Sequence, residues 1–102
     1  MYKIQYTLSA TKDIYEIFNY ISNTLKNKTA ALELMKKLKT EEENIILFPY
    51  GNPKYRLKKL DFKYRRAIVN NYSIFYTIDK KKKLITVSRI LYNKREFRKV
   101  LN

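Results

Sequence analysis

The stretch YRRAIVNNYSIFYTIDKKKKLITVSRILY, residues 64–92, decides the fold. It contains three runs rich in β-branched and aromatic residues, separated by two turn signals. The first alternates from Tyr64 through Arg66 and Ile68 before Asn70-Asn71, a pair that tolerates positive φ and suits a hairpin turn. In the second, Tyr72, Ile74, Tyr76 and Ile78 fall on one face and Phe75 on the other. Asp79 to Lys83 makes the next turn, and LITVSRILY (84–92) is apolar enough to be a central strand. Arg65 and Arg66 must point to opposite faces, so at most one of them can join a given site.

Upstream of the three strands, YKIQYTL (2–8) alternates Tyr2, Ile4 and Tyr6 against Lys3, Gln5 and Thr7, a half-buried strand. Ser9 is expected to cap a helix over 10–26, with Asp13 in its early turns and Ile14, Ile17, Phe18, Ile21 and Leu25 as its apolar stripe. After Asn27-Lys28, Thr29 is expected to cap a second helix with the stripe Ala31, Leu34, Met35, Leu38 and Ile45. Pro49 stops it, because the residue before a proline disfavours the helical region. FPYGNP (48–53) is a turn holding the only glycine and both prolines. After the strands, REFRKVL (95–101) predicts a helical turn with Phe97 and Val100 or Leu101 facing inward. The order is β-α-α-β-β-β-α, an α+β domain over 1–102: a helical hairpin on a mostly antiparallel four-stranded sheet.

Composition narrows the chemistry. The chain of 102 residues is 45% hydrophobic and lacks cysteine and histidine. Disulfides and thiolate metal sites are excluded, as is the usual general base. No metal or other cofactor is implied. No run approaches the ~20 apolar residues of a membrane span, so a cytoplasmic protein with no membrane partner is expected. The net charge of +14 is lopsided. Residues 1–51 hold seven lysines and six acids; residues 52–102 hold ten lysines and all six arginines against three acids. That imbalance suits a polyanion or an acidic protein. The KKKK run at 80–83 reads as a solvated loop.

Five stretches, in this order, resemble the RelE/ParE superfamily of toxins from type II toxin–antitoxin systems. They are the opening strand with SATKDIYEIFNYISNTL, then NKTAALELMKKL, LFPYGNP, YRRAIVNNYSIFYTID and VSRILYNKREFRKVL. The resemblance covers essentially the whole chain. It implies a growth-inhibiting toxin held by a cognate antitoxin in a hetero-oligomer, with either DNA gyrase or ribosome-bound mRNA as target.

Metal-free RNA cleavage would need a base for the 2′-hydroxyl, cations on the phosphate and an acid for the leaving oxygen. Without histidine, lysine, arginine and tyrosine are the available groups. The resemblance places Arg95 as the cation after the last strand and Arg65 as one on the second strand, with Tyr92 beside them as a third catalytic candidate. Lys54, Arg56, Lys63, Arg66, Arg89, Lys94 and Arg98 are candidates for binding the target or nucleic acid. Three positions depart from the nuclease pattern: Ala67 for a lysine, Ser73 for a phosphate-directed arginine and Leu101 for a terminal tyrosine. Removing one group of this kind costs ~3 kcal/mol of transition-state stabilisation. The balance leans to a non-enzymatic gyrase poison. A ribosome-dependent endoribonuclease and a plain nucleic-acid-binding module stand as alternatives. Arg89 could instead be a buried cation paired with Asp61 or Asp79, and Tyr72 and Tyr76 are expected in the core.

Overall fold

The computed structural model of the chain describes residues 1–55, 63–94 and 97. Strand β1 (Lys3–Tyr6) leads into helix α1 (Leu8–Asn19), a single π-turn (Tyr20–Thr24) and helix α2 (Lys28–Leu47). Strands β2 (Lys54–Tyr55), β3 (Tyr64–Val69), β4 (Tyr72–Asp79) and β5 (Leu84–Tyr92) follow. The α+β architecture is as the sequence predicts. Among the described residues the sheet has five strands rather than four, in the order β1-β5-β4-β3-β2. The extra one, β2, is two residues long, too short to leave an alternation in the sequence. Only β1 runs parallel to its neighbour, β5; the other pairs are antiparallel.

Both helices begin one turn-signal earlier than expected. Thr7, not Ser9, caps α1 by accepting from the Ala10 amide at 3.0 Å, and Asn27, not Thr29, caps α2 by accepting from Ala30 at 3.1 Å. Helix α2 stops at Leu47, two residues before Pro49. Inside the first helical segment the ladder widens: the Leu25 amide reaches back five residues to the Tyr20 carbonyl. Widening rotates everything after it by part of a turn. Leu25 therefore leaves the stripe and is 55% exposed.

Two apolar clusters lie on opposite faces of the sheet. On the helix side Ala10, Leu34, Leu38 and Ile45 pack against Ala67, Ile74, Tyr76, Ile85 and Val87. On the other side Tyr64, Phe75, Leu91 and Phe97 form a smaller cluster. Both Tyr76 and the half-buried Tyr72 belong to the helix-side core, as the alternation requires. Phe97 is buried as expected, whereas Val100 and Leu101 fall outside the described residues. A bulge makes the two clusters compatible. Phe75 pairs with Arg89 but Tyr76 pairs with Val87, so Ser88 is an extra residue in β5. Parity flips there: Ile85, Val87 and Ile90 join the helix side, and Leu91 the other.

Strand β1 covers β5 only as far as Val87. Beyond that point α1 takes over its hydrogen bonds. The Thr7 hydroxyl donates to the Ser88 carbonyl at 2.8 Å, and Asp13 Oδ2 accepts from the Ile90 amide at 3.0 Å. Asp13 also receives Arg89 in a two-pronged ion pair, Nε to Oδ2 at 2.7 Å and Nη2 to Oδ1 at 2.8 Å. Arg89 is thus a half-buried structural cation whose partner is Asp13. Asp79 instead accepts from the Lys82 amide in its own turn, and Asp61 lies outside the described residues.

A second polar tie joins β1 to α2. The Tyr6 hydroxyl donates to Glu42 Oε1, while Lys39 donates to Oε2 at 2.7 Å. Partial burial pushes the Glu42 carboxyl up, but the hydrogen bonds from Lys39 and Tyr6 and the lysine's charge outweigh it, leaving it below the usual glutamate value. A depressed carboxyl contributes stability above its unfolded pKa, about 4.3, and loses it as pH falls through the folded value. Urea midpoints followed from pH 7 to 3 should therefore decline less steeply in Tyr6→Phe than in the parent. Parallel declines would remove the tie from the acid response.

Candidate functional site

The cationic candidates are distributed over three places. On the sheet face away from the helices, Arg66 Nε donates to Ser73 Oγ at 2.7 Å and its Nη2 to Asn93 Oδ1 at 3.4 Å. Ser73 also donates to Asn93 Oδ1. The guanidinium lies 5.4 Å from the Tyr55 ring and 5.3 Å from the Phe97 ring, a cation between two aromatic faces. Cross-strand register builds this cluster: Ser73 sits opposite Ile68 and Leu91, and Asn93 extends the β4–β5 pairing through its amide to the Asn71 carbonyl at 2.8 Å. Ser73 is fully buried.

Arg65 points to the helix side. Its Nη1 donates to the Asn52 carbonyl at 2.6 Å and the Tyr50 carbonyl at 3.4 Å, and its guanidinium stacks 5.0 Å from the Tyr50 ring. It clamps the 48–53 turn, which Tyr76 also holds by donating to the Pro49 carbonyl at 2.9 Å. Arg65, Lys54 and Lys63 line a hollow of about 240 Å³ with Tyr50 and Ile78. Arg65 and Ser73 are on opposite faces, so it is Arg66 that meets Ser73.

At the other end of the sheet, Tyr92 packs against Tyr72 with ring centroids 5.6 Å apart. Both line a mainly apolar groove of about 650 Å³ with Ile17, Tyr20, Leu25 and Leu34. Burial, then the neighbouring Tyr92 and Tyr20, push the Tyr72 phenol up, away from service as a base. Lys94 is exposed just beyond β5. Arg56, Arg95 and Arg98 lie outside the described residues. Among the described residues no group of acids is arranged to hold a metal ion, and no helix is long and apolar enough to cross a membrane.

The sequence reading missed Asp13 as an ion-pair partner and Asn93 as part of the Arg66 cluster. Asn93 had a signal. Counting outward from the Asn70-Asn71 turn through β4 and back along β5 sets it beside Ser73, provided the bulge is known.

Comparison with known proteins identifies the family. Residues 4–97 match the family model described as ParE toxin of type II toxin-antitoxin system, parDE, so the chain belongs to the ParE toxin family. Comparison with curated proteins finds no match. Among solved structures, the chromosomal ParDE toxin–antitoxin system of P. aeruginosa superposes with a TM-score of 0.72 at 16% identity, covering 90% of this chain and 96% of that one. The RelBE2 toxin–antitoxin complex of Mycobacterium tuberculosis gives 0.58 at 15% identity, covering 89% and 96%. The isolated E. coli RelE toxin gives 0.59 at 14% identity, covering 99% and 96%. At these identities the structural likenesses speak to the fold.

Proposed function

We propose that this toxin arrests growth by binding DNA gyrase rather than by cutting RNA, and that a cognate antitoxin holds it in a hetero-oligomer. One observation carries the choice. On the sheet face away from the helices, Arg66 of β3 is engaged by Ser73 and Asn93 and flanked by two rings. The nuclease pattern that the resemblance implies would instead aim a strand cation at a phosphate, with a second guanidinium where the buried Ser73 stands. A side chain already committed to neutral neighbours must break those bonds first. The family match to ParE supports the same reading. For the antitoxin, solved structures similar to this chain include a ParDE system and a RelBE2 complex, both toxin–antitoxin pairs. An acidic, amphipathic segment would complement a chain of net charge +14.

Controlled expression in a bacterial host, with pulse labelling of DNA and protein synthesis, tests the target. DNA synthesis should fail first, with filamentation, and purified toxin should inhibit gyrase supercoiling in vitro. Early loss of translation with fragmented mRNA would overturn the proposal in favour of a ribosome-dependent endoribonuclease.

A further inference from the structure

The lysine run at 80–83 has no role in the cluster around Arg66, and by composition it passes for a solvated loop. The sheet register gives it company. Lys3 pairs with Leu84, and its amide donates to the Lys83 carbonyl at 3.0 Å, which brings the start of β1 to this turn. On the other flank Ile78, one residue before the turn begins at Asp79, lines the hollow that holds Lys54, Lys63 and Arg65. One end of the sheet therefore gathers Lys3, Lys54, Lys63 and all four turn lysines, with Arg65 beside them holding the 48–53 turn. Five strands at ~4.8 Å spacing make that end ~19 Å wide. The turn lysines are exposed, and the acid of the turn, Asp79, is occupied by the Lys82 amide.

We infer that this lysine-rich end of the sheet is a docking surface for the phosphate backbone of duplex DNA. The turn itself offers charge without apolar anchors, which suits phosphates better than a protein interface, whose centre is normally aromatic or aliphatic. Cations gathered along one sheet end also suit duplex DNA, which carries one charge per ~1.7 Å of helix axis. Single-stranded nucleic acid asks for something different, a free ring on which bases stack. Tyr50, the aromatic of the hollow, has its ring against Arg65 and, edge-on at 6.5 Å, against Tyr2. The surface is independent of the choice of target, because it is assayed without gyrase or ribosome.

The test is fluorescence anisotropy of purified toxin with a labelled 20-base-pair duplex between 50 and 200 mM salt. The comparison is Lys80→Gln/Lys81→Gln/Lys82→Gln against a control of equal charge loss, Lys12→Gln/Lys26→Gln/Lys28→Gln, with circular dichroism confirming that both fold. The turn variant should flatten the slope of log K against log salt by up to ~2.7, about 0.9 for each phosphate no longer neutralised. The control should keep the parent slope. Equal flattening in both would mean that net charge alone acts, and would overturn the surface. So would a parent that binds polyglutamate or single-stranded RNA as tightly as the duplex.

Discussion

Asp13→Ala should cost about 3–5 kcal/mol in equilibrium unfolding, the range for breaking one side of a buried ion pair. The pair qualifies: the Asp13 side chain is 8% exposed and that of Arg89 24%, with both guanidinium hydrogen bonds under 3 Å. Alanine also strands the Ile90 amide, which has no strand neighbour on that side and bonds to Asp13 instead. For a domain of this size each kcal/mol is worth about 4–8 °C, so the melting temperature should drop by more than ~10 °C. The double variant Asp13→Leu/Arg89→Met removes both charges together. It should recover all but the ~1–3 kcal/mol that the unpaired Ile90 amide costs. If Asp13→Ala costs under ~1 kcal/mol, the carboxylate is not what docks α1 onto β5.

Phe75→Ala should be of similar size, about 3–5 kcal/mol, but with a different local signature. Phe75 is fully buried, and its ring lies edge-on to Tyr55, Tyr64 and Phe97 at centroid distances of 5.3, 6.4 and 5.0 Å. These rings tie β2, β3 and the segment holding Phe97 to one side chain. Removing it should speed tryptic cleavage among the basic residues at 94–99 well before the chain unfolds. Ile85→Ala, in the helix-side core, serves as the control. It should destabilise the chain without selectively exposing that segment. Cleavage rising equally in both would show that Phe97 is not held through Phe75.

Much of this fold is legible because its signals are local and periodic. Ile74 and Tyr76 against Phe75 announce two buried faces, and Ala31, Leu34 and Leu38 announce one helix stripe. What the sequence conceals depends on interactions between distant residues. Asp13 reads as a favourable charge early in a helix, and only the position where β1 ends turns it into Arg89's partner. The Ser88 bulge adds one residue to β5 with no glycine to mark it, so counting by twos misplaces everything after Val87. The same blindness affects the site. Alternation separates Arg65 from Arg66, but which of them meets Ser73 depends on the β3–β4 register, which sets Ile68 opposite Ser73.

The early end of β1 has one more consequence. Exposed strand borders invite a second copy to continue the sheet, the usual route to fibrils. Here one border is a strand of four residues, and past it a helix and its aspartate occupy the main-chain bonds that another molecule would seek. The opposite border strand is two residues long among the described residues. With a charge of +14 repelling its own kind, such a chain offers a copy of itself little to pair with.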